Sequence, residues 1–341
     1  MRNIAVFLFL VTILFIFSAV FPENCEAESN YSISAGTGFG ALFGRTFEYV
    51  YPIDTPGELL SELRYDIKRI FYASLFADYA KTDIMQSSGV FAALSFKAGL
   101  PGDSGTHENR DWTSTIDDGL THFSSHSNTL RSLYILDFSF GASFPVKTVM
   151  YIKPFLSGSW MHFEFTGKDG YGIYARKTGC TCIQYAHDST ACPGISSAAF
   201  DPINNNPFNY LFTGDVIRYQ QDWLIFSLGI TLGTIKLSPF MFELSFKVSP
   251  FSYCAAKDEH LSNNYTFMDF TAWGLFMEPN VKASVTLSGI IISFEASYRS
   301  VGKTKGPAYN RPGNSGNFIQ TNDAGAALSL LDARLSVSYS F

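Results

Sequence analysis

Period-two alternation limits this chain more than any other feature. Phe242, Leu244, Phe246 and Val248 alternate with Glu243, Ser245, Lys247 and Ser249. Val281, Ala283, Val285 and Leu287 alternate with Lys282, Ser284 and Thr286, and Phe138, Phe140, Ala142 and Phe144 with Ser139, Gly141 and Ser143. Successive side chains of a strand point to opposite faces, so each run describes a strand with one apolar and one polar face. The last run, Leu335, Val337, Tyr339 and Phe341, closes on an aromatic. Leu224–Phe242 is the one stretch that competes as a transmembrane helix. Lys236, Pro239 and its Gly- and Ser-rich breaks make it a hairpin instead.

Composition decides what the apolar faces meet. The 341 residues include 33 Phe and 18 Tyr, yet only 16% are charged, against about 25% in soluble domains. Mean hydropathy is only +0.08, because Ser, Gly, Thr and Asn dilute the apolar residues. So many aromatics exclude disorder, and the lack of repeated apolar runs of about 20 residues excludes a helical membrane bundle. A net charge of −6 offers nothing to nucleic acid. An apolar, aromatic-girdled exterior around a polar lumen satisfies both halves of the composition. In lipid only a closed sheet pairs every backbone group. The expected fold is therefore all-β: a transmembrane antiparallel up-and-down β-barrel of ten strands.

The expected connections alternate in length. Short ones fall near Lys81–Met85, Pro145–Thr148, Gly233–Pro239 and Leu287–Ile290. Long polar ones fall near Tyr51–Glu58, Pro101–Asn128, Gly167–Gly214, Lys257–Asn264 and Gly302–Asp323. Short turns belong to the periplasm and long loops to the outside. At the start, Arg2, the apolar run Ile4–Val20 and Cys25-Glu26-Ala27 describe a secretory signal peptide over 1–27, leaving 28–341 as the barrel.

With Cys25 in the signal, four cysteines remain: Cys180, Cys182, Cys192 and Cys254. Paired CxxC spacing, which a zinc site would need, is missing. In an oxidising compartment these are disulfide candidates. Cys180 and Cys182 are too close to favour each other, so each is expected to take one of Cys192 and Cys254. No cofactor or metal is called for.

Two segments carry chemistry beyond the needs of a barrel wall: His107-Glu108-Asn109-Arg110-Asp111-Trp112 and Lys257-Asp258-Glu259-His260. Asp258 and His260 are two apart and face the same way on a strand. A carboxylate beside an imidazole fixes its tautomer and supports the imidazolium, so His260 can serve as a general base. Asp111 could hold a water from the opposite side. Glu48 ends the first upward strand, and both segments follow upward strands, so strand parity gathers all of them on one rim.

These segments resemble the omptins, ten-stranded outer-membrane endopeptidases of Gram-negative bacteria. Gly44-Arg45-Thr46-Phe47-Glu48-Tyr49-Val50-Tyr51 resembles the ending of the omptin first strand. Asn109-Arg110-Asp111-Trp112 resembles the family's D-x-D-W, and Asp258-Glu259-His260 its D-E-H; Ser125–Thr129, Lys303–Tyr309 and Ala324-Gly325 fit as well. The resemblance implies a protease that activates water without an acyl-enzyme and cuts peptide or protein substrates next to basic residues. Asp258 then orients His260, Asp111 anchors the water, and Glu48 belongs to the substrate pocket. Two positions depart. Asn109 replaces the first carboxylate of the pair; an amide still hydrogen-bonds but carries no charge, so restoring Asp is expected to raise the rate. Ala256 replaces the second acidic pocket residue. Omptins also bind lipopolysaccharide through basic exterior residues. The corresponding positions, such as His162 and Asp222, are neutral, acidic or His, which argues against that dependence. The competing readings are a catalytically weak omptin-fold adhesin or an unrelated porin.

Overall fold

The computed structural model describes residues 31–54, 57–82, 88–112, 122–146, 150–174, 209–234, 239–261, 264–313 and 316–341. The expected signal peptide and Cys180, Cys182 and Cys192 lie outside them. The elements are β1 (Tyr31–Pro52), β2 (Ser61–Thr82), β3 (Gly89–Gly99), β4 (Gly102–Asp111), β5 (His122–Val146), β6 (Met150–Tyr174), β7 (Asn209–Thr234), β8 (Phe240–Ser249), β9 (Ser252–His260), β10 (Tyr265–Ala272), β11 (Phe276–Leu287), β12 (Ile290–Val301), β13 (Gly306–Pro312) and β14 (Ile319–Ser340).

These fourteen segments make ten barrel strands. β3 and β4 both bridge β2 and β5; β8 and β9 both pair with β7; β12 and β13 both pair with β14; β10 and β11 continue the ring between them. Pro101, Pro250, Gly274 and Gly302 stand at the breaks, where a missing donor or a flexible backbone interrupts the ladder. β1 closes the ring on β14 from Ser34↔Ser340 to Pro52↔Asn322.

The exposed apolar residues form an exterior belt that includes Phe138, Phe140, Phe226, Leu228, Phe242, Leu244, Phe294 and Leu335. A patch this extensive needs a lipid surround. Inside the belt the lumen is polar and bridged. Arg299 donates to Glu278 at 2.6 Å and to Asp137 at 3.2 Å, and Lys247 donates to Glu278 at 2.9 Å. Lys97 and Tyr72 both bond Asp332.

Above the belt, toward the C-terminal ends of β1, β4 and β9, the interior becomes aromatic. Tyr65 stacks on Tyr219 at 4.1 Å, on His107 at 4.3 Å and on Phe165 at 5.9 Å. Register shifts create this second interior. β2 carries an extra residue between Ile70, opposite Leu42, and Ile67, opposite Gly44. Inward positions therefore change from Ile70 and Tyr72 below to Tyr65 and Ile67 above, since one extra residue exchanges the faces. β5 shifts likewise between Leu130 and Ser132, with Leu130 buried above and Leu133 and Ile135 below.

The expected long connections are shorter than their polarity suggests. Most of Pro101–Asn128 is β4 and the start of β5, and Gly302–Asp323 holds β13 and the start of β14. The polar residues there coat the outer face of a barrel that extends past the belt. Ladders such as Arg110–Glu62, Arg110–Glu108 and Arg64–Asp66 pair them in place.

Candidate active site

The barrel brings Glu48, Asn109, Asp111, Asp258 and His260 to the inner face of its upper end. β1 supplies Glu48, the end of β4 supplies Asn109 and Asp111, and the end of β9 supplies Asp258 and His260. All lie above the belt, which Phe39, Leu100 and Val248 mark on the same barrel strands. Asp258 lies opposite Tyr219 of β7 and Phe267 of β10, so the aromatic layer forms its floor and flank.

The first pair is built as expected from its spacing. His260 Nε2 lies 2.9 Å from Asp258 Oδ2. With Nε2–H donated to that carboxylate, the neutral ring keeps its lone pair on Nδ1. Phe267 meets the ring edge-on at 5.2 Å. Burial alone would lower the imidazole's proton affinity. The Asp258 charge and hydrogen bond, with Asp111 behind them, raise it above the ordinary histidine value.

Asp111 faces His260 closely enough for each to feel the other's charge. Burial raises its carboxyl, against hydrogen bonds from Ser61 and Asn109. Asn109 uses both ends of its amide: Ser61 Oγ donates to Oδ1 at 3.2 Å, and Nδ2 donates to Asp111 Oδ2 at 3.4 Å. Glu48 is buried, and burial followed by the charges of Asp269 and Asp258 raises its carboxyl well above the ordinary range.

Sequence reasoning missed four contributors. His122 of β5 stands opposite Asp111 in register and interacts with its charge. Tyr65 and Tyr219 line the floor. Asp269 of β10, buried near Glu48 and Asp258, is pushed up to about 7 by burial and the Asp258 charge. Register, unlike spacing along the chain, is the only signal that reaches Asp269, through its partner Ala256.

Of the disulfide candidates only Cys254 lies among the described residues. Its thiol is free and fully buried, because it shares the inward face of β9 with Ala256 and Asp258 and packs opposite Trp223 and Thr271.

A closed ten-stranded antiparallel barrel with an apolar belt and a titratable cluster at one end is the outer-membrane class. The Omptin family profile matches residues 29–191 and 204–341, and the chain belongs to that family. Among solved structures it is similar to the outer membrane protease OmpT from Escherichia coli. Identity is 18% and the TM-score 0.74, over 94% of this chain and 99% of that one. It is also similar to the translocator domain of the autotransporter NalP from Neisseria meningitidis: identity 10%, TM-score 0.36, over 100% of this chain and 98% of that one. The outer membrane protein OprG from Pseudomonas aeruginosa gives 10% and 0.36, over 93% and 99%. No curated protein sequence matches the chain.

Proposed function

We propose that the protein is an outer-membrane endopeptidase whose active site faces the cell exterior and hydrolyses peptide bonds with an activated water. The observation that carries this reading is the Asp258–His260 bond on a buried shelf, with Asp111 within electrostatic reach. A water held between Asp111 and His260 loses a proton to the imidazole as its oxygen attacks the scissile carbonyl. Asp258 supports the imidazolium so formed, and His260 then returns the proton to the leaving amine. Glu48, below the pair, belongs to the substrate pocket. Substrates are peptides or exposed protein segments.

Outer-membrane lipid surrounds the belt. His162 Nδ1 lies 2.9 Å from Asp222 Oδ1 on the exterior. That pair satisfies itself and leaves no net positive charge there for lipid A phosphates, so activity is expected without added lipopolysaccharide.

The refolded protein is incubated with peptides, beside His260→Ala, with and without lipopolysaccharide. Cleavage reduced at least about 100-fold in the variant is expected, the lower end for losing a general base. Equal turnover in both removes the peptidase reading. Asn109 favours a second reading, a surface protein of this fold with little catalysis. Folded wild type that cleaves no peptide would select it.

A further inference from the structure

Ala256 of β9 and Asp269 of β10 are direct register partners. Both are 4% exposed and face the interior two residues below Asp258. Asp269 therefore projects into the volume that the Ala256 methyl leaves open. Glu48 reaches the same volume from β1, although β14 and β13 lie between the two strands. The crossing succeeds because the buried residues on its way are Ala326, opposite Glu48, then Ala324, and Ala308, opposite Asp269. Longer side chains there would keep the carboxyls apart. Instead they stand within electrostatic reach of each other, and burial with the neighbouring carboxylates raises the proton affinity of both.

The pair differs from the lumen carboxylates lower in the barrel. Asp137, Glu243, Glu278, Glu295 and Asp332 each hold a Lys or Arg of the chain itself. Among the described residues no Lys or Arg pairs with Glu48 or Asp269, and the charge beside them is another carboxylate, Asp258. Buried carboxylates without a cation are unfavourable unless something completes them. Three atoms around the niche lack hydrogen-bond partners: Glu48 Oε2, Asp258 Oδ1 and the Tyr65 hydroxyl. Their side chains are at most 3% exposed. Buried polar groups are otherwise almost always paired, so the two carboxylate oxygens mark the place of a missing donor and the hydroxyl that of a missing partner.

We propose that Asp269 is a specificity-determining residue: with Glu48 it forms a buried anionic niche beneath Asp258 and His260 that receives the guanidinium or ammonium group of a bound basic side chain. A multi-donor cation matches a set of convergent acceptors, and the bonds formed are charge-assisted. On entry a proton held on the acidic cluster leaves to solvent, so the niche gains one negative charge as it takes one positive charge. Asp269 thereby supplies from β10 the carboxyl that Ala256 does not supply from β9. That the cation arrives on a peptide rests on the peptidase reading; the niche itself does not.

The experiment measures binding in the His260→Ala background, with an arginine-containing peptide and its twin carrying citrulline, the neutral isostere. The arginine peptide is expected to bind at least about tenfold tighter, the scale of one charge-assisted bond. Asp269→Asn should reduce that preference to threefold or less, and adding Ala256→Asp to it should restore the preference from the neighbouring strand. Circular dichroism and unboiled electrophoretic mobility establish folding; Asp269→Ser replaces the amide should that variant not fold. An unchanged preference in either folded variant, or no preference to begin with, overturns the proposal. Cleavage by the histidine-containing protein is scored separately. Arginine preference without cleavage keeps the niche and removes the peptidase, while cleavage without preference does the reverse.

Discussion

At the residue scale, the chemistry rests on which group holds the proton. Because Asp258 raises the His260 imidazole, the base of the proposed mechanism should lose activity as pH falls through a value above histidine's ordinary figure of about 6.5. The acid limb of kcat/KM, which reports the free enzyme, should therefore lie above that value. Asp258→Asn should move it downward and lower the rate by about 100-fold or more. A limb that stays in place would mean that another group sets it. Asn109 deserves the opposite sign from the one its departure from the family pattern suggests. Its amide donates to Asp111, so Asn109→Asp removes that donor and sets two carboxyls side by side. Like charges in one site raise the proton affinity of the pair. The variant should lose activity near neutral pH and recover it in more alkaline buffer. A gain at neutral pH in the same assay would refute this.

At the element scale, the strands show what the sequence could and could not disclose. Phe242–Ser249 alternates without a fault because β8 lies wholly within the belt, between lipid and a polar lumen. Higher up, β2 and β5 pass through register shifts that exchange their faces, and both environments become mixed, aromatic within and ion-paired without. The period fades there, so the upper strands read as loops. Asp258 and His260 were legible because they share one strand. Asp269 was not, since a cross-strand partner leaves no trace in local spacing. Gly44 holds one of these junctions. Its φ is +144°, and a Cβ there would stand 1.9 Å from the Ser329 carbonyl oxygen of β14. Gly44→Ala should destabilise the barrel by about 2 kcal/mol or more, from backbone strain and the clash together. It should also reduce cleavage by displacing Glu48, four residues on. Urea unfolding and the peptide assay measure the two effects.

At the scale of the whole molecule, the lumen is a cross-brace. Arg299 of β12 reaches Glu278 of β11, Asp137 of β5 and Ser159 of β6, tying opposite walls together inside the belt. Removing one member of a buried charge network leaves its partners uncompensated, typically at a cost of about 3–5 kcal/mol. Arg299→Ala should lower the unfolding free energy by that amount, read from the urea midpoint of protein refolded in detergent. The same bridges obstruct ions, so reconstitution into planar bilayers should show no steady porin-like conductance. A stable open current would favour the porin reading.

Closure of the ring also has a consequence for timing. β1 and β14 zip together from Ser34 to Pro52, joining the first described strand to the last. Glu48 meets Asp269 only across that seam. A chain whose last strand has not docked holds its acids on separate walls, so the complete working surface comes into being only with the finished barrel. On the peptidase reading, incomplete assembly is itself the safety catch.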